Sequence, residues 1–410
     1  MDNNFSLPDS LTFLLEDLEA AGLPKSIAQR PEFLSSLILG TAAEDSLTGT
    51  DQRDYIFGLE GSDSLEGFGG DDFLFGGEGD NTIRGGDERD RIYSNGGKDQ
   101  LFGGAGNDRF RDVSGGNEIR GGDGRDTINY RNIDGPIGFE FDIGFNSDTP
   151  SRLQEGILRI TQDGLEPDTI SSIERIIGPE GKANNINFQK NFIRPPRSAS
   201  PQLSVFAPAI DVNLAQNRIE FEDQKITIEN FRDFIGSVGN DVIRGDSADN
   251  RLDGDFGANV LEGRKGNDFL TTFDSDTLIG GSGRDTFELK AAQKELGGRF
   301  RASLPLTANT IVDFETNTDK IQLSRIGGSF TTDSITRTVY RGFSDLESGA
   351  LDADLFQVLG GDPIPQGAYV SYDGTTGDLF YTSGQPSDDT TKIATLQGAP
   401  GLTASDIVVV

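Results

Sequence analysis

Apolar and polar positions repeat every nine residues in the first third of this chain. Ten nonapeptides run without interruption through residues 40–129, and the eighth position is always aliphatic or phenylalanine. This period predicts a parallel β-roll, in which each nonapeptide is half a coil and each turn stacks on the turn eighteen residues later. The eighth-position residues, which we expect to face the core, are Leu47, Ile56, Leu65, Leu74, Ile83, Ile92, Leu101, Phe110, Ile119 and Ile128.

The sixth position of each nonapeptide is polar and almost always acidic. The first, second and fourth positions are rich in glycine, as in Gly103-Gly104-Ala105-Gly106-Asn107-Asp108. Calcium takes six to eight oxygen ligands, which carboxylates and the carbonyls of glycine turns supply. The pattern therefore predicts calcium ions between stacked turns. The predicted ligands in this roll are Asp45, Asp54, Asp63, Asp72, Asn81, Asp90, Asp99, Asp108, Asn117 and Asp126, with carbonyls around Gly77, Gly79, Gly104, Gly106, Gly122 and Gly124.

An eighteen-residue coil sorts the sixth positions into two rows. We call the first the all-Asp row, and it contains Asp54, Asp72, Asp90, Asp108 and Asp126. The second, the mixed row, contains Asp45, Asp63, Asn81, Asp99 and Asn117. Asparagine offers an oxygen but no charge, so we expect the all-Asp row to bind calcium more tightly.

These nonapeptides resemble the Gly-Gly-x-Gly-x-Asp-x-aliphatic-x repeats of the RTX (repeats-in-toxin, hemolysin-type) calcium-binding proteins. The resemblance implies turns that hold calcium through the Asp side chain and glycine-region carbonyls. The alternative is a flexible, acidic, glycine-rich linker, but a linker has no reason to place an apolar residue at every ninth position.

A second, less regular block of the same repeat occupies residues 236–288. Its sixth positions include two asparagines, Asn250 and Asn259, and one step is shortened to eight residues. We therefore expect a second β-roll that binds calcium less strongly. Its predicted acidic ligands are Asp241, Asp268, Asp276 and Asp285.

The remaining segments complete an all-β organisation with a small helical element. Residues 1–39 predict an N-terminal helical cap, with one helix over residues 9–22 and a shorter one from Pro31 to Ile38; a docking arm for another subunit is the alternative. Residues 130–235 predict a β-rich insert that contains a decayed repeat, in which Ala183 takes the place of the expected Asp. Residues 289–410 predict a C-terminal β region.

Two features of the C-terminal region resemble further RTX phrases. Asp313 and Asp319 either hold one more ion or are solvated strand-end acids. The ending Asp406-Ile407-Val408-Val409-Val410 resembles the uncleaved signal of proteins exported by type I secretion, although a last strand is the alternative. No N-terminal signal peptide is predicted, because residues 1–20 carry five acids and no base.

Composition narrows the function classes. The formal charge is −32, which disfavours nucleic acid and anionic membranes as partners. The chain has no histidine and no cysteine, so Ser-His, Cys-His and His-Glu-x-x-His chemistry is excluded. No segment has the length of a transmembrane helix. We therefore expect a non-enzymatic protein outside the cell or on its surface, exported by type I secretion; the enzymatic alternative is a hydrolase that uses paired carboxylates in the insert.

Two non-enzymatic hypotheses remain open: a structural surface component that assembles with copies of itself, and a soluble adhesion module for a foreign partner. The feature that bears on them is a set of outward strand positions rich in aromatic residues. We expect these to form one continuous surface, covered by the N-terminal helices, by the insert or by another protomer. The aromatic residues are Tyr55, Phe57, Phe73, Phe75 and Tyr93.

Overall fold

The structure is a computed structural model. It describes residues 33, 35–111, 115–131, 137–142, 157–162, 167–180, 182, 184–187, 209–221, 224–237, 239–255, 257–272, 275–290, 308–324, 329–332, 335–338, 343, 346–359, 367–382 and 390–410. The helix predicted over residues 9–22 and the predicted decayed position Ala183 lie outside these ranges.

The described residues form short strands joined by tight turns. The N-terminal strands are β1 (Leu37–Leu39), β2 (Ser46–Thr48), β3 (Tyr55–Glu60), β4 (Ser64–Phe68), β5 (Phe73–Glu78), β6 (Thr82–Asp87), β7 (Arg91–Asn95), β8 (Gln100–Gly106), β9 (Arg109–Arg111), β10 (Glu118–Gly124) and β11 (Thr127–Asn129). The next strands are β12 (Ile137–Asp142), β13 (Ile157–Gln162), β14 (Asp168–Ser171), β15 (Arg175–Ile177), β16 (Asn185–Asn187), β17 (Ile210–Asn213), β18 (Arg218–Phe221), β19 (Gln224–Glu229) and β20 (Asp233–Ile235).

The C-terminal half also consists of short strands joined by turns. Its strands are β21 (Val242–Arg244), β22 (Arg251–Asp253), β23 (Val260–Lys265), β24 (Phe269–Thr272), β25 (Thr277–Ser282), β26 (Thr286–Lys290), β27 (Asn309–Ile311), β28 (Lys320–Ser324), β29 (Ser329–Thr332), β30 (Ile335–Thr338), β31 (Gly349–Ala350), β32 (Phe356–Val358), β33 (Tyr369–Asp373), β34 (Asp378–Thr382), β35 (Thr390–Leu396) and β36 (Ile407–Val409). Three single-turn 3-10 helices span Leu214–Gln216, Ala353–Leu355 and Ala404–Asp406.

The chain divides into two compact units. The first unit contains Met1–Asn184 with Ile226–Asn230, and the second contains Asn185–Lys225 with Phe231–Val410. Each unit is built around a parallel β-roll.

The first unit confirms the predicted eighteen-residue coil. One sheet stacks β3, β5, β7, β9 and β11 in parallel, with Ile56 beside Leu74 and Leu74 beside Ile92. The opposite sheet stacks β2, β4, β6, β8 and β10, again eighteen residues apart. All the eighth-position residues from Ile56 to Ile128 are fully buried between the two sheets. A lean core suffices because each coil packs on its neighbours.

The roll of the first unit continues beyond the nonapeptides. Strand β14 pairs in parallel with β10, and β15 pairs with β11, so Ile170 and Ile176 extend the two core rows. Strand β19 stacks next, with Ile228 beside Ile176. The antiparallel pair β12–β13 adjoins β14 and departs from the roll geometry. Sequence reasoning placed these residues in an insert, because their turns lack the glycine pattern.

The N-terminal side of the first unit differs from the prediction. Leu37–Leu39 form strand β1, which pairs in parallel with β3 and places Leu37 opposite Tyr55. The helix predicted to run through Leu37 and Ile38 is therefore wrong at these positions. The physical reason is that the exposed edge of β3 provides backbone partners eighteen residues away, and these outweigh local helical spacing.

The second unit repeats the roll with one shortened coil. One sheet stacks β21, β23, β25, β27 and β35, and the other stacks β20, β22, β24, β26, β28 and β36. Val260 pairs with Thr277 and Phe269 with Thr286, seventeen residues apart, as the eight-residue step predicts. Leu261, Leu278 and Phe287 nevertheless stay fully buried. The residue is lost from a turn, so the strands keep their register.

The chain's last residues belong to this second roll. Strand β36 pairs with β28, and Ile407 and Val409 are fully buried. The ending that resembles an export signal is thus a strand in the folded protein.

The five aromatic residues of the first unit form the continuous ladder that the register predicts. Phe57 stacks on Phe75 with ring centroids 4.6 Å apart, and Phe75 stacks on Tyr93 at 4.2 Å. Tyr55 stacks on Phe73 at 5.2 Å and receives the edge of Phe33 at 4.8 Å. All five rings are only 1–3% exposed within a single chain. No second protomer is needed to cover them. We call the sheet that carries them the aromatic sheet and the opposite one, built on β2, β4, β6, β8 and β10, the polar sheet.

Candidate metal centre

The sixth-position side chains form a hydrogen-bonded ladder along each edge of the first roll. In the all-Asp row, Oδ1 of each carboxylate accepts the backbone N–H of the sixth-position residue one coil earlier. The distances are 2.8 Å from Asp54 to Asp72, 2.9 Å from Asp72 to Asp90, 2.9 Å from Asp90 to Asp108 and 2.8 Å from Asp108 to Asp126. The coil spacing therefore aligns the acids in one straight row.

The second carboxylate oxygen of most of these residues has no hydrogen-bond partner among the described residues. Oδ2 of Asp72, Asp90, Asp108 and Asp126 is buried and accepts no hydrogen bond. In the mixed row the same holds for Oδ2 of Asp63 and Asp99. A buried carboxylate oxygen without a partner is strongly unfavourable, so the geometry calls for a cation.

The first-position glycines line the space beside these oxygens. A Cβ atom added at Gly85 would lie less than 3.0 Å from both Oδ2 of Asp90 and the carbonyl oxygen of Gly103. Gly67 and Gly103 have the same surroundings, one coil to either side. A carboxylate oxygen and a carbonyl oxygen from the next coil thus converge on a space that only glycine leaves open. Such a set of hard oxygens suits calcium.

The six glycines predicted to shape the turns all have positive φ. The values are 92° and 106° at Gly77 and Gly79, 114° and 139° at Gly104 and Gly106, and 112° and 137° at Gly122 and Gly124. A side chain at Gly104 would also run into the carbonyl of Gly86. Glycine is therefore needed here for both conformation and space.

Burial raises the pKa of the row carboxylates. It raises the pKa of Asp72 to about 8 and that of Asp90 to about 7, and neighbouring row carboxylates add repulsion. Burial also raises the pKa of Asp99 and Asp126 to about 7 and that of Asp108 to about 6. Without a cation, the ionised form of these carboxylates at neutral pH is therefore unfavourable in the folded roll.

The asparagines of the mixed row act differently from the aspartates. Nδ2 of Asn81 donates to the carbonyl oxygen of Gly79 at 3.0 Å and to that of Gly77 at 3.5 Å. Nδ2 of Asn117 donates to Oδ1 of Asp168 at 3.0 Å. The side-chain amide thus occupies oxygens that a cation would otherwise contact, which supports the predicted difference between the rows.

Both rows end on residues that sequence reasoning did not identify. Asp168 continues the mixed row and accepts the backbone N–H of Asn117 at 2.8 Å, while the hydroxyl of buried Tyr130 donates to its Oδ2 at 3.0 Å. Glu174 ends the all-Asp row by accepting the N–H of Asp126 at 2.7 Å. The available signal was an acid two residues before a core isoleucine, as in Asp168-Thr169-Ile170, without the glycines.

The decayed coil carries an amide where an acid would stand. Asn184 lies two residues before buried Ile186 and is itself fully buried. Its Nδ2 donates to the carbonyls of Pro179 (2.8 Å) and Asn230 (2.6 Å), and its Oδ1 accepts the N–H of Ile137 at 3.1 Å. This side chain has its hydrogen bonds made within the protein.

The second roll has the same ladder with fewer free oxygens. Asp268 accepts the N–H of Asn250 at 2.7 Å, and its Oδ2 is buried without a hydrogen bond. Both oxygens of Asp241 accept protein hydrogen bonds, from Ile210 and Ser237. Asp276 accepts from Asn259 at 2.7 Å and from the hydroxyl of Thr272. Asp285 accepts the N–H of Asp268 at 2.8 Å.

Asp313 and Asp319, the two acids of the C-terminal region that could hold one more ion, have different hydrogen-bond partners. Asp319 continues a row, since its Oδ1 accepts the N–H of Asp285 at 2.9 Å. Asp313 instead accepts the N–H groups of Gly280 (2.9 Å) and Gly281 (2.8 Å). The two acids therefore accept hydrogen bonds from different main-chain N–H groups.

Within the described residues, no three His, Cys, Asp or Glu side chains converge on one point. Each row contributes one acid per coil, so any ion site in these rows would draw most of its ligands from main-chain carbonyls. This is the architecture of a parallel β-roll with cation-binding turns.

The repeats of both rolls match the RTX calcium-binding nonapeptide repeat. The matches cover residues 39–74, 48–83, 75–110, 112–130, 235–270 and 271–288. The two rolls therefore carry RTX calcium-binding nonapeptide repeats, and such repeats bind multiple calcium ions.

Two solved structures are similar to this chain in part. The AlgE6R3 subunit of the Azotobacter vinelandii mannuronan C5-epimerase is 20% identical, with 52% of this chain and 85% of that chain covered and a TM-score of 0.22. Extracellular lipase LipA from Serratia marcescens is 16% identical, with 83% of this chain and 40% of that chain covered and a TM-score of 0.24. At such scores neither carries an argument about function. No curated protein matches the chain.

No helix in the described part of the chain is long and apolar enough to span a membrane.

The two rows should respond differently to alanine substitution. Asp90→Ala removes a buried oxygen that faces a carbonyl of the next coil, so we expect a clear loss of calcium bound per chain. Asn81→Ala removes an amide that already satisfies Gly79, so calcium binding should change little. Isothermal titration of both variants measures this difference, and equal losses would show that the rows are equivalent.

Proposed function

We propose that this chain is a secreted protein that folds when it binds calcium outside the cell and serves there as a non-enzymatic structural or surface component. The observation that carries the proposal is that the all-Asp row contains buried carboxylate oxygens without hydrogen-bond partners among the described residues. Calcium, when bound, supplies the positive charge that these oxygens and the turn carbonyls lack.

The proposed ligands follow from the rows. Asp72, Asp90, Asp108 and Asp126 hold the strongest sites, because each offers a free oxygen beside a main-chain carbonyl of the next coil. Asp63 and Asp99 hold weaker sites in the mixed row, where each has at least one asparagine as its neighbour along the row. In the second roll, Asp268 is the principal ligand, and the other acids contribute less because protein groups already use their oxygens.

An extracellular role is supported by the calcium requirement. Low free calcium inside the producing cell would leave the acidic chain unfolded and able to pass through an export channel, and the RTX resemblance favours the type I secretion machinery. Calcium outside would then fold the rolls by mass action.

The structural role and the adhesion role differ in oligomeric state. The burial of Tyr55, Phe73 and Phe75 in a single chain removes the aromatic ladder as a self-assembly surface, so assembly would use another face. Light scattering with and without millimolar calcium tests this. A calcium-dependent increase in particle mass is expected for a surface component. A calcium-folded monomer would instead favour the adhesion module, and absence of any calcium response would overturn both.

Protons and calcium should compete for the same oxygens. The pKa is raised to about 8 at Asp72 and to about 6 at Asp108, above the unfolded value of about 3.9. Folded metal-free protein therefore holds more protons than the unfolded chain, so its stability is greatest below about pH 4 and is lost as the pH rises through 6–8. Calcium affinity should show the opposite trend and weaken as the pH falls through this range.

Melting of the metal-free protein at pH 4 and pH 8, with calcium titrations at pH 6 and pH 8, measures both trends. Greater metal-free stability at pH 8 would contradict the raised carboxylate pKa values.

A further inference from the structure

A group of arginines lies on the aromatic sheet just beyond the aromatic ladder. Arg91 on β7 is the register partner of Arg109 on β9, and Arg111 follows two residues later on the same face. Arg175 on β15 occupies the same row as Arg91 and Arg109, two strands beyond Arg109, with Thr127 of β11 between them. We call Arg91, Arg109, Arg111 and Arg175 the arginine strip. It runs along the roll axis, with adjacent strands about 4.8 Å apart.

The strip is poorly neutralised in a chain whose formal charge is −32. Among the described residues, Arg91, Arg109 and Arg111 take part in no ion pair, and Arg109 is exposed. At the far end, Arg175 pairs with Glu229. Acids outnumber bases 68 to 36, so three neighbouring arginines without acidic partners are not expected from composition.

The aromatic ladder holds part of the strip in place. The guanidinium of Arg91 lies 4.6 Å from the ring centroid of Phe73, and that of Arg111 lies 6.0 Å from that of Tyr93. Stacking occupies the flat face of a guanidinium and leaves its N–H edge for other partners. Those edges form a fork that fits a carboxylate or a sulfate in two hydrogen bonds.

We propose that the arginine strip binds an anionic polysaccharide that lies along the roll axis and presents carboxylate or sulfate groups to successive coils. The charges are spread over several strands in a line, which suits a polymer with repeated anionic groups rather than one small anion.

Other classes of partner fit the strip less well. A protein interface needs an apolar centre, but the rings beside the strip are 1–3% exposed. Single-stranded nucleic acid uses exposed aromatic rings for base stacking, and these are absent from the strip for the same reason. The inference rests on the calcium-dependent folding proposed above, because the strip exists only when the coils are stacked.

The test is fluorescence anisotropy with labelled chondroitin sulfate, on calcium-loaded protein. Arg91→Gln combined with Arg109→Gln should weaken binding by about tenfold or more and reduce its salt dependence. The matched control is Arg84→Gln with Arg120→Gln, which removes the same charge from the exposed face of the polar sheet and should have little effect. Circular dichroism with calcium confirms that each variant is folded.

The inference is wrong if the folded natural chain does not bind chondroitin sulfate, or if both double variants lose affinity equally. Equal affinity for neutral dextran or for a DNA duplex would also contradict it. So would self-association of the natural chain that the Arg91/Arg109 variant abolishes. If the natural chain does not fold with calcium, the proposed function itself fails, and the circular dichroism control separates that result from a failure of the strip alone.

Discussion

Removing calcium is expected to abolish most of the strand structure of this protein at neutral pH. Each site that binds only the folded state stabilises it by about 2.7 kcal/mol when calcium is a hundredfold above its Kd. Total stabilities are about 5–15 kcal/mol, so even the four proposed sites of the all-Asp row would account for a large part of the fold. Without calcium, the buried carboxylates of that row repel one another at close range.

Circular dichroism in chelator and then in increasing calcium measures the effect. We expect a cooperative gain of strand signal, and magnesium at the same concentration serves as the control because it accepts large, carbonyl-rich sites poorly. Full strand content in chelator at pH 7 would contradict the interpretation of the free oxygens as calcium ligands.

Gly85→Ala is expected to destabilise the calcium-bound protein strongly, because the added methyl group fills the space beside Asp90. The new Cβ would lie less than 3.0 Å from Oδ2 of Asp90 and from the carbonyl of Gly103. We expect about 1–3 kcal/mol from overpacking, together with the loss of an ion site worth about 2.7 kcal/mol under the conditions above.

Gly69→Ala provides a matched control in the same roll. Its added Cβ would meet its nearest atom, Cα of Asp51, at an ordinary 3.5 Å, and its backbone φ is not positive. Its free energy of unfolding should therefore change by no more than about 0.5 kcal/mol. Thermal melts of both variants, each with saturating calcium and in chelator, make the comparison. A similar loss in both would show that the space beside Asp90 is not special. A loss at Gly85 that is independent of calcium would leave only the packing explanation.

The nonapeptide period alone predicts the β-roll and the order of the acids along its two rows. An apolar residue at each eighth position and an acid or asparagine at each sixth fit coils of eighteen residues, in which core and turn positions coincide from coil to coil. The shortened step before Asp276 was also readable, since Val260 pairs with Thr277 as that step requires. The predicted difference in calcium affinity between the two rows depends on Asn81 and Asn117.

Strands that lack the nonapeptide period are not recognisable from the sequence as coils of the roll. Asp168 and Glu174 end the two rows, although they lie 42 and 48 positions after Asp126, the last nonapeptide acid. Local sequence could not show that their strands return to the roll, because that depends on the free edges of β10 and β11. Leu37–Leu39 were wrongly predicted as helical for the same reason, since the edge of β3 decides their conformation.

By itself, the sequence determined which side chains repeat, and hence the coil, the core and the rows of acids. Only the tertiary structure decided which oxygens are left without partners. Asp72 and Asp241 occupy equivalent repeat positions, yet Oδ2 of Asp72 is free while Ser237 occupies both oxygens of Asp241. The tertiary structure likewise decided that the aromatic ladder is buried and that Arg91 and Arg109 have no acidic partner among the described residues. The physical reason is that a repeat specifies a neighbour's place, whereas hydrogen bonding and burial depend on every group that packs there.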